Sequence, residues 1–135
     1  MREAKVHLLI VDDEPALRTS YSLILAAEGH SVRSASNGFS ALKEIRREIP
    51  EVLISDLNMP GMSGFELLSV VRNQFPEIQV VAMSGAYPGY EVPSGVDADA
   101  FFQKGAGILP LLSILQSLPR PERMAQQTRT APANA

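Results

Sequence analysis

Three aspartates and one lysine are the residues of this chain whose types and positions best suit chemistry. Asp12 and Asp13 follow an apolar run at residues 6–11, Asp56 ends a second apolar run, and Lys104 lies just beyond a third. Short apolar runs bounded by turn signals are typical of strands that are buried on both faces. Open parallel sheets bind their ligands at the carboxyl ends of such strands. A carboxylate there is either a turn cap or a reactive group, and one aspartate alone does not decide between the two.

The three carboxylates require positive charge if they lie together. At separations of roughly 5 Å they would repel one another by about 3 kcal/mol per pair at an effective dielectric near 20. Carboxylate oxygens on a shallow rim suit Mg²⁺, a hard ion that keeps several waters. Lys104 offers an ammonium and Ser84 offers a hydroxyl to the same edge. Such a set can hold a phosphoryl group while a carboxylate attacks it, and Asp56 is the predicted nucleophile because Asp12 and Asp13 remain to bind the metal.

The hydrophobic pattern predicts the elements that position these side chains. Strand and helix alternate five times, with strands expected at residues 6–11, 31–35, 52–56, 78–83 and 100–102. Right-handed crossovers between buried strands favour an α/β fold, a doubly wound parallel sheet with helices on both faces. The flavodoxin-like strand order 2-1-3-4-5 places the half-polar second strand at an edge and makes strands one and three neighbours. This order predicts that the acids after strands one and three share one rim.

The helices between the strands are marked by apolar stripes and by turn residues. Leu42, Ile45 and Ile49 form the predicted buried stripe of the second helix, which Pro50 closes. Ser63 and the glutamate three residues later have the spacing of a capping box, which predicts the start of a third helix.

Three later segments carry less regular signals. Residues 86–99 contain two prolines and two glycines where the alternation requires a fourth helix, so that helix is predicted to be short, distorted or absent. Residues 119–135 have little apolar content and are predicted to form a disordered tail. The last helix, at about residues 108–118, has more apolar residues than one buried stripe needs. This surplus fits either a homodimer or partner face, or a deeply packed terminal helix.

Composition excludes several classes of function. The chain has 135 residues, enough for one domain with a real core and too few for two. Its net charge of −3 gives no electrostatic footprint for nucleic acid or for an anionic membrane, and no cysteine is present for disulfides, thiolate metal sites or nucleophilic catalysis. No stretch has the features of a signal peptide or the length of a transmembrane helix. We expect a cytoplasmic protein without direct DNA binding and without membrane insertion.

Four motifs, IVDDEP, SDLNMPGMSGFELL, VVAMSG and DADAFFQK, follow one another along the chain. With them the sequence resembles the receiver domain of two-component response regulators, of the single-domain CheY-like kind, over residues 5–118. The resemblance implies that Asp56 accepts a phosphoryl group from a histidine kinase, a histidine phosphotransfer protein or a small phosphodonor. It implies a signalling domain and no enzyme beyond self-phosphorylation and self-dephosphorylation.

The same resemblance implies a metal site around the phosphoacceptor. Mg²⁺ would be bound by Asp13, by Asp56 and by the main-chain carbonyl of Asn58, with Asp12 acting mainly through water.

The resemblance also implies contacts to the phosphoryl group and a switch. Ser84 and Lys104 would contact the phosphoryl oxygens, and the ring of Phe101 would turn inward as Ser84 moves toward the phosphate. The chain departs from the family where Phe101 replaces a frequent tyrosine and where Gly105 replaces a proline that is often preceded by a cis peptide. Because a cis peptide before a non-proline residue costs about 2.5–4 kcal/mol, we expect a trans bond between Lys104 and Gly105.

Two other functions compete with this interpretation. A degenerate receiver would act as a constitutive protein-docking module; the disrupted fourth-helix region favours it and the intact acids oppose it. A phosphatase like those of the haloacid dehalogenase family would use an aspartyl intermediate. That family requires an Asp-x-Asp pair after the first strand, and Asp12-x-Glu14 does not supply it. The acids of residues 12–14 also suit a simple helix start before Pro15.

Overall fold

A five-stranded parallel sheet lies between two layers of helices. The computed structural model describes residues 6–85, 95–105 and 107–119. The sheet has the strand order β2-β1-β3-β4-β5, so the predicted flavodoxin-like fold is confirmed. In chain order the elements are β1 (His7–Val11), α1 (Pro15–Ala27), β2 (Ser31–Ala35), α2 (Gly38–Arg47), β3 (Val52–Asp56), α3 (Gly64–Gln74), β4 (Gln79–Ser84), β5 (Ala100–Gln103) and α4 (Leu109–Ser117).

Burial explains the strand order. Every residue of β3 is buried, and β1 and β4 are buried except at their first residues, as expected of strands covered by helices on both faces. In the described part of the chain the half-polar β2 pairs with β1 alone and forms an edge, as its composition predicted. The buried residues of α2 and α3 form one apolar layer against the sheet, and those of α1 and α4 form the other.

The start of α3 is packed directly against the end of β3. Ser63 and Glu66 form the predicted capping box, in which the Ser63 hydroxyl accepts from the Glu66 amide and the Glu66 carboxylate accepts from the Ser63 amide. A Cβ atom built on Gly64 would lie 2.1 Å from the carbonyl oxygen of Asp56 and 2.5 Å from the Cα atom of Leu57. Only glycine therefore lets α3 begin this close to the strand that ends in Asp56.

Ion pairs attach the beginning of β5 to α3. Arg72 of α3 contacts Asp97 and Asp99, each at 3.0 Å. The carboxylate of Asp99 also accepts the Val80 amide at 2.8 Å. The approach to β5 is thus held by both a neighbouring helix and the neighbouring strand.

Some expectations need correction and others fall outside the described residues. Ile49 does not extend the stripe of α2, because the helix ends at Arg47 and Ile49 is 46% exposed. Proline disfavours helical backbone in the preceding residue, so Pro50 ends the helix earlier than the apolar spacing suggested. No cis peptide occurs among the described residues, so the expected trans bond before Gly105 is confirmed. The predicted irregularity at residues 86–94 and the tail at residues 120–135 lie outside the described residues.

In α4 the apolar surplus is divided between core and surface. Leu111 and Leu115 are buried, whereas Leu109 is 73% exposed. No helix in the described part of the chain combines the length and apolar character that crossing a membrane requires.

We predict that Gly64→Ala lowers the free energy of unfolding by about 2–3 kcal/mol, because the added methyl group overlaps main-chain atoms that cannot move away freely. Urea unfolding measures the change. Gly85→Ala is the matched control, since no described heavy atom lies within 4 Å of a Cβ built there, and its effect should stay within about 1 kcal/mol. Equal stability of the two variants would contradict the close approach of α3.

Candidate functional site

Three aspartates meet at the carboxyl edge of the sheet. Asp12 and Asp13 follow β1, Asp56 is the last residue of β3, and these two strands are neighbours. One carboxylate oxygen from each aspartate lies within 4.8 Å of the other two. Asp12 and Asp56 are buried, at 0% and 3% exposure, while Asp13 is more exposed. The sheet order thus brings together the acids that the sequence placed on one rim.

Lys104 supplies the positive charge of this cluster. Its Nζ lies 3.1 Å from Asp12 Oδ2 and 3.2 Å from Asp56 Oδ2, and its side chain is only 10% exposed. Its backbone amide donates to the Ser84 carbonyl at 3.1 Å, which positions it beside the end of β4. Burial alone would lower the pKa of Lys104, but its contact with the Asp12 carboxylate and the charge of Asp56 outweigh burial and raise it. Lys104 therefore stays protonated.

Asp56 lies in an environment that disfavours its charge. Burial raises the pKa of the Asp56 carboxyl, and the Asn58 amide, which donates to Asp56 Oδ1 at 3.1 Å, and the Lys104 charge only partly oppose that effect. Asp12 adds a repulsive negative charge that raises the pKa further. A further cation beside Asp56 would favour the ionised carboxylate.

Asp12 is held by its backbone and by one carboxylate oxygen. Asp12 Oδ1 accepts the Glu14 amide at 2.9 Å, and the Asp12 carbonyl accepts from Arg18 at 2.7 Å. Among the described residues no donor is aligned for a hydrogen bond to buried Asp12 Oδ2, whose contact with Lys104 is an ion pair. Buried anionic oxygens normally have a donor or a metal ion. The oxygen-only ligand set and this under-satisfied oxygen both fit a hard divalent cation.

A cleft of about 480 Å³ opens over the aspartates. Ser84, which is 1% exposed, and Asn58 line it together with Asp56 and Lys104. Phe101 is also 1% exposed and belongs to the apolar layer under α2 and α3. The cleft therefore contains carboxylates, an ammonium and the Ser84 side chain, a set that can bind a cation and an anion side by side.

Sequence reasoning missed two contacts around Lys104. Glu14, considered only as an acid at a helix start, places its Oε1 atom 3.2 Å from Lys104 Nζ. Its position directly after two aspartates was a usable signal. Tyr21 of α1 lies beside Gly105, whose backbone partly opposes the rise that burial causes in the pKa of the Tyr21 phenol. No sequence pattern connects these two distant positions.

A larger groove of about 750 Å³ lies between α2 and α3. Phe39, Met62, Phe65 and Val70 contribute apolar surface to it, and its carboxylate, Glu66, already serves as a helix cap. The groove has the larger volume, but the charged chemistry is concentrated in the cleft over Asp56.

Comparison with known proteins identifies relatives of this chain. Residues 8–106 match the family model of the response regulator receiver domain. The probable transcriptional regulatory protein TcrX of Mycobacterium tuberculosis is 37% identical over 79 residues, which cover 58% of this chain and 34% of that protein. The response regulator protein FleR of Pseudomonas aeruginosa is 38% identical over 77 residues, 57% of this chain and 16% of that protein. The chain thus spans less than two thirds of the length of these relatives.

Solved structures give the same correspondence over nearly whole chains. The chemotaxis protein CheY4 of Vibrio cholerae superposes with a TM-score of 0.76 and 29% identity, covering 86% of this chain and 100% of that chain. The response regulator TrrA of Thermotoga maritima, solved in complex with Mg²⁺-BeF, gives a TM-score of 0.75 at 29% identity, covering 83% and 97%. The fold of this chain is that of these proteins.

We predict that Asp56→Asn makes the metal-free protein more stable at neutral pH. A raised pKa means that the native state binds the Asp56 proton more tightly than the unfolded state. The contribution of this carboxyl to the free energy of unfolding is therefore complete below its ordinary pKa of 3.8, and it is lost as the pH rises through the raised pKa. Asparagine carries no charge, so its advantage should be on the order of 1 kcal/mol at neutral pH and should vanish in acid.

Urea unfolding in EDTA across this pH range measures the difference. Glu77→Gln is the matched control, because Glu77 is an exposed acid before β4, at the opposite edge of the sheet. An Asp56→Asn variant that is less stable than wild type at neutral pH would contradict the raised pKa of Asp56.

Proposed function

The chain belongs to the response regulator receiver domain family, and we propose that Asp56 is its phosphoacceptor. It is a phosphorylation-dependent receiver of two-component signal transduction. The observation that carries the assignment of Asp56 is the contact of Lys104 Nζ with both Asp12 and Asp56, in a cluster completed by Asp13. A docking module that never meets phosphate has no need for such a costly group of charges.

The chemistry follows from the positions of these side chains. A carboxylate oxygen of Asp56 forms a bond to phosphorus while the bond from phosphorus to the donor breaks, and the donor leaves with the electron pair. Lys104 and the hydroxyl of Ser84 then contact the phosphoryl oxygens. Phosphoryl transfer depends mainly on positioning and on neutralising charge, and these residues supply both.

We propose that Mg²⁺ is the metal of the site. Asp13, Asp56 and the main-chain carbonyl of Asn58 would hold it directly, and Asp12 would act mainly through water. When bound, the ion supplies the positive charge that the crowded carboxylates and the transferred group require. The under-satisfied Asp12 Oδ2 and the complex of TrrA with Mg²⁺-BeF support a divalent cation at this site.

We propose that the protein is cytoplasmic and that its phosphodonor is a histidine kinase or a histidine phosphotransfer protein. TrrA, which is 29% identical to this chain, has been solved in complex with the histidine kinase ThkA, and that complex supports this class of partner. The output partner is then a protein bound through a surface of the receiver, without direct DNA binding by this domain. Leu109, exposed at the start of α4, offers an apolar contact for a homodimer.

We expect incubation with acetyl phosphate and Mg²⁺ to add one phosphoryl group per chain, seen by intact mass and removed by hydroxylamine. Asp56→Asn should abolish the addition, because the attacking carboxylate is lost. EDTA, or Asp13→Asn, should slow the addition at least about tenfold. Both changes remove Mg²⁺ from the site, so the negative charge of the transferred phosphoryl group is no longer neutralised by the metal.

Glu77→Gln, which removes an acid far from the cleft, should be labelled like wild type. Multiple turnover of added phosphomonoesters would instead indicate a phosphatase. Absence of labelling in the wild-type protein would indicate the docking module.

We propose further that Phe101 couples phosphorylation to output. The Phe101 ring already lies in the core, on β5, which β4 separates from β3. A change in the position of the ring is therefore a repacking within the apolar layer and not a movement from solvent to core. Core packings are bistable, which suits a switch.

We predict that the Phe101 side chain changes rotamer between crystals grown without and with Mg²⁺ and beryllofluoride, a phosphoryl mimic. Leu115, which is buried on the other face of the sheet, serves as the internal control and should keep its rotamer. A ring that stays in place would remove Phe101 from the coupling and leave the role of Asp56 unaffected.

A further inference from the structure

Lys104 has a third anionic partner beyond the two buried aspartates. Glu14 Oε1 lies 3.2 Å from Lys104 Nζ, and the Glu14 side chain is 60% exposed. We propose that Glu14 is a positioning residue that competes with a phosphoryl-like anion for the Lys104 ammonium and thereby weakens retention of that anion. This inference rests on the proposed function of Asp56.

The Lys104 ammonium is already surrounded by carboxylates. An ammonium group has three donor hydrogens. Lys104 Nζ donates to Asp56 Oδ2 and to Glu14 Oε1, each at 3.2 Å, and forms an ion pair with Asp12 Oδ2 at 3.1 Å. An anion on Asp56 that accepts a hydrogen bond from Lys104 therefore competes with these carboxylates for the ammonium.

Exposure decides which oxygen leaves. The Asp12 side chain is 0% exposed, so a displaced Asp12 would remain a buried charge without its partner, and Asp56 is the residue that the anion joins. Such a loss is strongly destabilising. The Glu14 side chain is 60% exposed and can turn into water, where an ion pair is worth little. Glu14 is thus the partner that an arriving anion displaces.

The Glu14 side chain can move without disturbing the fold. Its amide donates to Asp12 Oδ1, and Pro15 opens α1 directly after it, so the backbone of Glu14 is fixed from both sides. The structure assigns its side chain no helix-capping hydrogen bond within the described residues. Replacing the carboxylate therefore changes the contact with Lys104 while the helix start is retained.

The test measures anion binding and not signalling. Beryllofluoride is titrated by calorimetry into wild type and Glu14→Gln at saturating Mg²⁺. We expect Glu14→Gln to bind it about two- to fivefold more tightly, the effect of removing one exposed competing ion pair. The gain should decrease at high salt, because exposed charges are screened.

Two further variants separate the contact from charge in general. Glu14→Asp keeps the charge but is one methylene too short for the same reach, and it should also bind more tightly than wild type. Glu77→Gln removes an exposed acid before β4 and should leave affinity unchanged. Thermal unfolding of each variant checks that the fold is retained.

The outcomes distinguish this inference from the function it rests on. Wild type that binds no beryllofluoride with Mg²⁺ would overturn the proposed function and this inference with it. Wild type that binds, with Glu14→Gln equal or weaker, would overturn the competition alone. If affinity for beryllofluoride rises in Glu14→Gln and does not rise in Glu14→Asp, the charge at position 14 acts without the contact with Lys104. That result would likewise overturn the competition.

Discussion

Crowded negative charge at one edge of the sheet is the constraint on which the other features of this structure depend. The carboxylates of Asp12, Asp13 and Asp56 converge within a few ångströms, and one ammonium contacts the two that are buried. In a partly desolvated cleft such an arrangement is tolerable only while Lys104 stays in place. Burial raises the pKa of the Asp56 carboxyl, and the neighbouring charge of Asp12 adds to the rise, so a further cation in the cleft would favour the ionised form.

Two close contacts hold this arrangement from opposite sides. On one side Gly64 brings the start of α3 against the end of β3, so Asp56 has a rigid support. On the other side the Lys104 amide donates to the Ser84 carbonyl at 3.1 Å, which fixes the lysine beside the end of β4. The reactive side chains thus lie on short segments whose positions are determined by the packed elements around them, which is how a preorganised site is built.

The sequence predicted the topology well because each step rested on a strong physical rule. Apolar runs must be buried, parallel strands need crossovers, and the half-polar β2 fits only an edge. Parallel strands end at a common edge, so the meeting of Asp12 with Asp56 followed from strand order alone. Ile49 was assigned wrongly, because apolar spacing continued to a residue that Pro50 excludes from the helix. The contacts of Glu14 and Tyr21 with the segment around Lys104 join residues more than eighty positions apart, and periodicity carries no information at that range.

The attachment of β5 has a mechanical meaning for the domain. Arg72 and Asp99 secure the strand where it begins, and within the described residues β4 is its one strand neighbour. At its far end the strand delivers Lys104 into a cluster whose electrostatic balance changes with every ion that enters. β5 is paired with β4 along its whole length, from Ala100 to Gln103, so the sheet keeps the backbone before Lys104 in register while the charge around the Lys104 ammonium changes.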